Sequence, residues 1–227
     1  MTRFTKITAS IGPSCESIAA LRKMILAGVN VCRMNFSHDT GAAQGKKIDA
    51  IRKISAELNV PVGVLVDLQG PKHRIGNFKT EEKYPISVGQ TFTFDSNPAP
   101  GDSGRVQLPD ADVMRSLRVG ERILLNDGKY IGLTHDKILN DGKIEMLVTD
   151  VLPDSVKTKV IRGTEIWSRR GFNLPDTIVD TSVLTEKDKA DLKYALTKNP
   201  DWVAVSFVQR PEDIATVRDF ITAHTER

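Results

Sequence analysis

Apolar residues recur at two different spacings along this chain, and the spacing changes twice. Residues 6–11 form a short strand-like stretch that stops at Gly12-Pro13. Ser14 or Ser17 can cap the segment that follows. There Ile18, Leu21 and Ile25 recur at helical spacing, and Gly28 is a natural stop. Residues 29–34 read as a second strand. Residues 40–59 read as a second helix with Ile48, Ile51, Ile54 and Leu58 on one face, ended by Pro61. Residues 62–66 are an unbroken apolar run closing in Asp67, a pattern that suits a parallel strand covered on both faces. The order β, α, β, α, β is the start of a parallel α/β fold.

From about residue 71 helical periodicity disappears until about residue 185. Thr91-Phe92-Thr93-Phe94 alternates. Residues 123–125 and 129–133 flank Asn126-Asp127-Gly128, and residues 137–139 and 143–148 flank Asn140-Asp141-Gly142. Asp-Gly between apolar runs is a strong hairpin signal. The expectation is an all-β domain over residues 71–170, inserted into an α/β domain made of residues 1–70 and 171–227. Helical spacing then returns. Thr185 and Asp188 resemble a capping box ahead of Leu192, Ala195 and Leu196. Residues 202–207 read as a buried strand. Pro211 opens a last helix with Glu212 and Asp213 in its first turn and Ile214, Val217 and Phe220 on one face.

This makes four α/β-type strands and four helices. A closed (β/α)8 barrel takes about 250 residues, and about 125 remain outside the β segment. The expectation is therefore the first half of such a barrel.

Composition narrows the classes. Of 227 residues, 40% are hydrophobic and 27% charged, which supports a packed core rather than disorder. The net charge of +3 gives no footprint for nucleic acid, and residues 71–170 add only 16 basic against 14 acidic side chains. No stretch approaches the ~18 apolar residues of a membrane helix, and residues 1–6 lack the apolar core of a signal peptide. Two cysteines, Cys15 and Cys32, make neither a disulfide framework nor a zinc spacing and read as buried structural thiols. A cytoplasmic protein is expected.

Polar residues gather just after the strand ends, where parallel α/β folds build their sites. Arg33-Met34-Asn35-Phe36-Ser37-His38 offers a planar cation, an amide, a hydroxyl and an imidazole. Read alone, these groups could equally serve their own loop. Asp67 ends the third strand, at a good position for a cation ligand, and leads through Leu68-Gln69-Gly70-Pro71 to Lys72, His73 and Arg74. Arg169 and Arg170 lie where the chain leaves the insertion. The two ends of an inserted domain must lie close together, so Lys72, Arg74, Arg169 and Arg170 should converge and, with Arg33, suit a polyanionic ligand such as a nucleotide phosphate. Neither a P-loop nor a GxGxxG cradle is present.

Taken together, these segments resemble the pyruvate kinase family. The matching stretches are Thr5-Lys6-Ile7 with Ile11-Gly12-Pro13-Ser14, Arg33 to His38, Asp67 to Arg74, Arg170-Gly171-Phe172-Asn173-Leu174-Pro175 and Ser206-Phe207-Val208. They occur in the family's order over essentially the whole chain. The resemblance implies phosphoryl transfer from phosphoenolpyruvate to ADP, giving pyruvate and ATP in glycolysis. It implies substrate contact by Arg33 and nucleotide contacts by Asn35, Phe36, Ser37, His38, Arg74 and Arg170. Asn35, Ser37, Asp67 and the Leu68 carbonyl match a monovalent-cation site. Lys72 stands where potassium-dependent members carry Glu, and its ammonium could replace the cation, so potassium should not be required. Mg2+ is implied, but the family's catalytic Lys and divalent-metal ligands have no matching position here, and no catalytic residue is assignable. The expected partners are ADP or ATP and phosphoenolpyruvate or pyruvate, with neither nucleic acid nor membrane. Members are usually homotetramers. The expectation is an N-terminal part of a pyruvate kinase, inactive alone. The alternative is a non-catalytic nucleotide- or phosphoenolpyruvate-binding regulatory protein derived from one, which would form a defined oligomer.

Overall fold

The computed structural model describes residues 4–125 and 143–225. The chain divides into two compact units: residues 1–71 with 182–227, and residues 72–181 between them in sequence.

The first unit is built from β1 (Thr8–Ile11), α1 (Ile18–Leu26), β2 (Val31–Asn35), α2 (Gly41–Leu58) and β3 (Gly63–Asp67) before the second unit intervenes. The ends of its helices are fixed locally. The Ser17 side chain accepts from the Ala20 N–H, and Thr40 does the same for Ala43. Asn59 closes α2 in the left-handed conformation, two residues ahead of Pro61.

β3 pairs in parallel with β2 on one edge and with β12 on the other, giving the order β1-β2-β3-β12. β12 (Trp202–Ala204) lies between α4 (Glu186–Leu196) and α5 (Pro211–His224). The core joins Leu21, Ile48, Ile51, Leu192 and Val217 from the helices to Cys32, Met34, Val64 and Val66 from the sheet. These strand positions alternate, so the helices cover one sheet face. Arg33, Asn35, Leu65 and Asp67 point to the other, which is only partly covered. The expectation that β3 is covered on both faces is corrected accordingly: an apolar run signals burial but not which side receives the layer.

A second correction concerns residues 202–207. Only three of them form the strand. Trp202 is 60% exposed and Phe207 40%, because β12 is an outer strand of the sheet. Apolar content there reported strand propensity rather than burial.

Among the described residues the second unit holds a six-stranded sheet in the order β11-β7-β8-β9-β5-β6, from β5 (Thr91–Asp95), β6 (Arg105–Gln107), β7 (Arg122–Leu125), β8 (Ile144–Leu152), β9 (Ser155–Arg162) and β11 (Phe172–Asn173). All its pairs are antiparallel except β5 with β6. A two-stranded ribbon joins β4 (Tyr84–Pro85) to β10 (Glu165–Ile166). Phe92, Phe94, Val113, Met146, Val160 and Ile166 are buried in its core.

This unit is not all-β. Asp110 caps α3 (Ala111–Ser116), accepting from the Asp112 and Val113 N–H groups. Six residues are too few for periodicity to stand out. The unit also runs past residue 170, because β11 pairs with β7 and Val179 joins the second core. β7 pairs with β8, a pairing the hairpin reading did not include; the Asn126-Asp127-Gly128 and Asn140-Asp141-Gly142 turns and the strands between them, on which that reading rests, lie outside the described residues. Among those residues no helix is long and apolar enough to cross a membrane.

Candidate functional site

In the first unit the candidate residues meet at the carboxyl ends of β2 and β3. Asn35 and Asp67 are register partners across the parallel pair, and Arg33 lies two residues back on the same face. The Arg33 guanidinium forms an ion pair with the Asp67 carboxylate and donates through Nη1 to Ser10 Oγ at 2.6 Å on β1. Three adjacent strands thus hold one cation. Asp67 is 14% exposed and Arg33 35%, so the pair sits at a mouth rather than in the core.

The loop after β2 is held from inside. Asn35 Oδ1 accepts from the Ser37 N–H at 3.0 Å, making an Asx turn, and the Phe36 N–H donates to the Asp67 carbonyl at 2.9 Å. Gln44, only 2% exposed on α2, donates from Nε2 to the Asn35 and His38 carbonyls, both at 2.9 Å. Its Oε1 is buried with no hydrogen-bond partner among the described residues. Lys187 on α4 donates to the Phe36 carbonyl at 2.6 Å and pairs with Asp191. Phe36 itself is 1% exposed, so its ring anchors the loop while Ser37 and His38 remain accessible.

The segment after β3 is fixed as firmly. Leu68 donates its N–H to the Ala204 carbonyl at 3.1 Å, and its own carbonyl accepts from Ser206 Oγ at 2.8 Å. Gly70 has φ +67°, and a Cβ there would lie 2.8 Å from the Phe207 ring, so only glycine fits. Its N–H donates to Asp188 Oδ1 at 3.2 Å. Asp188 is fully buried, and its other oxygen accepts from the Thr185 N–H and hydroxyl to cap α4.

The four groups matched to a monovalent-cation site, Asn35, Ser37, Asp67 and the Leu68 carbonyl, belong to these two neighbouring segments. Their oxygens are the right type for a hard cation. Each fixed acceptor already has a donor, however: Ser37 N–H on Asn35, Ser206 on Leu68 and Arg33 on Asp67. The guanidinium already places a positive charge on the carboxylate such an ion would use. Among the described residues no group of three His, Cys, Asp or Glu side chains is placed to hold a metal.

In the second unit, Arg74 and Gly171 form an antiparallel bridge, and the Ile75 N–H donates to the Arg170 carbonyl at 3.0 Å. Arg74 Nη1 donates to the Arg169 carbonyl at 3.0 Å. Arg74, Arg169 and Arg170 are therefore together, as closure of an insertion requires. His73 stacks on Phe172 at 5.7 Å and its Nδ1 lies 2.6 Å from Asp110 Oδ2. That bond holds the Asp110 carboxyl below its usual range. The Arg170 guanidinium lies 4.6 Å from the centre of the Trp167 ring.

Sequence reading missed Gln44, Lys187, Asp110 and Trp167. The first two sit inside helices and act on a loop distant in sequence, and no local pattern marks them. The Asp110 cap did leave a signal, an acidic residue three before Val113.

A groove of about 520 Å3 lies elsewhere, along Asn199, Trp202, Ile214, Val217 and Ile221 at the amino end of β12. It carries none of the candidate residues, and residue chemistry rather than concavity locates the site.

A parallel βα sheet with a cation, an amide and a carboxylate at its strand ends defines an α/β protein of the class that gathers polar groups at the carboxyl ends of its strands. Comparison with known proteins narrows this class. The family description "Pyruvate kinase, barrel domain" matches residues 2–138 and 131–227, and the chain belongs to the pyruvate kinase family. It is 39% identical over 217 residues to the pyruvate kinase of Methylorubrum extorquens, covering 96% of this chain and 42% of that protein. It is 37% identical to pyruvate kinase 2 of Synechocystis, covering 98% of this chain and 36% of the relative. A crystal structure of a pyruvate kinase from Cryptosporidium parvum superposes with a TM-score of 0.85 at 28% identity, over 98% of this chain and 43% of that one. The chain thus spans roughly two fifths of the length of these relatives.

Proposed function

We propose that this chain supplies the phosphate- and nucleotide-holding part of a pyruvate kinase site, for phosphoryl transfer between phosphoenolpyruvate and ADP. The four βα units correspond in this reading to the first half of a (β/α)8 barrel interrupted by the β-rich unit. The observation that carries it is the Arg33 guanidinium fixed at three strand ends beside the Asn35–His38 loop. A fixed fork of N–H donors suits a phosphoryl group, and phosphoryl transfer asks mainly for positioning and charge neutralisation.

Arg33 holds the phosphoenolpyruvate phosphate. Asn35, Ser37 and His38 face the nucleotide, with the buried Phe36 ring anchoring their loop rather than touching the ligand; Arg74 and Arg170, in the second unit, are the cations matched to nucleotide contacts. A divalent ion, as the family uses, would neutralise the remaining phosphate charge, but its ligands and the family's catalytic lysine have no matching position in these 227 residues. The chain alone therefore binds ligands without turning them over. A monovalent ion is not needed in this reading, because Arg33 already neutralises Asp67.

The test combines calorimetry with a pyruvate assay on the purified chain in the presence of Mg2+. Binding of phosphoenolpyruvate and ADP that is weakened in Arg33→Ala, without pyruvate formation, is the expected result. Absence of binding refutes the reading. Turnover that tracks the purified chain refutes the division of the site.

A further inference from the structure

Lys187 stands at a position that its own helix disfavours. It lies in the first turn of α4, where the positive end of the helix dipole opposes a cation. What it gains lies outside the helix. Its ammonium donates to the Phe36 carbonyl at 2.6 Å, 151 residues away in sequence, and pairs with the Asp191 carboxylate one turn along, which is 12% exposed.

Phe36 C=O and Ser37 N–H belong to one planar peptide unit. Lys187 holds its oxygen, and Asn35 Oδ1 accepts from its nitrogen at 3.0 Å. Gln44 holds the carbonyls on either side, those of Asn35 and His38. Two helices thus take up three carbonyls of this loop, while the Ser37 and His38 side chains stay exposed. A hydroxyl and an imidazole can donate to an anion, which carbonyl oxygens cannot.

We infer that Lys187 is a positioning residue for nucleotide binding: by holding the Phe36 carbonyl it fixes the Phe36–Ser37 peptide plane, so that Ser37 and His38 are preset for the phosphates of a nucleoside diphosphate. This rests on the proposed nucleotide role of Ser37 and His38. With the plane held at both ends, backbone freedom is surrendered on folding rather than on binding, and ligand affinity rises. Arg33, which that reading gives to phosphoenolpyruvate, is held by Ser10 and Asp67 instead of by this peptide. The two ligands therefore separate the effect.

The test uses the 227-residue chain and ADP with Mg2+, read by calorimetry, with phosphoenolpyruvate as the control ligand. Lys187→Met keeps the apolar stem and removes the donor. It should weaken ADP binding about threefold to tenfold, the effect of leaving this stretch of loop to be ordered by the ligand. Lys187→Arg should recover most of that loss, and phosphoenolpyruvate affinity should not change in either. Lys187→Met also leaves Asp191 without its counter-charge. The double variant Lys187→Met/Asp191→Asn removes that charge as well, keeps the test open if the single variant fails to fold, and should show the same ADP deficit. Normal ADP binding in the double variant would assign the effect to an unpaired Asp191 and overturn the inference. If Lys187→Met binds ADP as the unaltered chain does, only this inference falls. If Lys187→Arg is as weak as Lys187→Met, or if phosphoenolpyruvate binding falls in parallel, the bond to the carbonyl is not the cause and the inference falls. If the unaltered chain binds no ADP, the nucleotide reading falls and takes this inference with it.

Discussion

The Arg33 guanidinium and the Asp67 carboxylate pair across two adjacent parallel strands, on the sheet face that the helices leave partly open. The pair fixes the direction of a cation that would otherwise be free to swing into solvent, and it makes each residue depend on the other. Arg33→Ala leaves Asp67, 14% exposed, without its counter-charge. The expected cost is about 1–2 kcal/mol of unfolding free energy in urea, below the value for a fully buried pair because Arg33 is one-third exposed. Phosphoenolpyruvate affinity should fall at least about tenfold, the effect of losing a charge-assisted contact of ~1.4 kcal/mol or more. Unchanged stability and unchanged affinity would together refute this placement of the pair.

Gln44 ties two carbonyls of the Asn35–His38 loop to α2. Gln44→Leu keeps the volume and removes both donors, so two carbonyls lose partners in a buried setting. A loss of about 1–3 kcal/mol in urea unfolding is expected, with weaker ADP binding through the loosened loop. Gln44→Glu should be worse than Gln44→Leu, because a carboxylate would face the same carbonyls. If Gln44→Glu proves as stable as the parent, the hydrogen-bond assignment is wrong.

The His73–Asp110 bond ties part of the acid stability to the Asp110 carboxylate. Hydrogen bonding to His73, opposed by burial, leaves the Asp110 carboxyl below its ordinary value of 3.8 in the folded chain. A depressed folded value means the unfolded state takes up the proton first. The stabilisation is therefore complete above about 3.8 and is lost as the pH falls through the lower folded value. Asp110→Asn should destabilise the chain at pH 7 and progressively less below pH 3.8, so the two stability curves converge in acid. Parallel curves would show that the bond does not titrate with folding.

Potassium should be dispensable. In a protein containing this segment, pyruvate formation at constant ionic strength should change less than about twofold when K+ is replaced by tetramethylammonium, a bulky cation that cannot replace a compact ion among oxygens. Strong stimulation by K+ would refute the assignment of the Arg33 guanidinium to that role.

The two thiols should differ in reactivity. Burial, with the nearby Cys15 thiol adding to it, pushes Cys32 up to about 11. Cys15 lies part-exposed, its sulfur taking the Gly12 N–H and facing the Ser10 carbonyl. Iodoacetamide at pH 8 should modify Cys15 while Cys32 reacts only on unfolding. Equal rates in the native chain would contradict the packing around β2.

Much of this was legible in the sequence because it is local. Ser17 and Thr185 announce their helices by caps that involve residues three positions on. Polar residues at the ends of β2 and β3 mark the site because alternation puts Arg33, Asn35 and Asp67 on one face. The exposed Trp202 and the clamps from Gln44 and Lys187 were not legible. Burial of a strand depends on which neighbours flank it, and a helix residue that reaches a loop leaves no spacing to detect. The α3 turn was hidden by its shortness. Arg74 and Arg169 were foreseen as neighbours from topology alone, without any local pattern, because the two ends of an insertion have to meet.

Asp188 closes the start of α4 with one oxygen and holds the Gly70 N–H with the other. Two duties in one carboxylate restrict how the sequence can vary. Asn keeps an acceptor for one partner but offers the other a donor, and Glu reaches too far for both. A change that relaxes the turn after β3 therefore also loosens a helix whose next residue but one toward the N-terminus, Glu186, opens it, and whose Lys187 holds the Phe36 carbonyl. Neither element can be tuned alone at this position, so sequence variation that adjusts the site is channelled into Ser37, His38 and the other side chains that bear no such double duty.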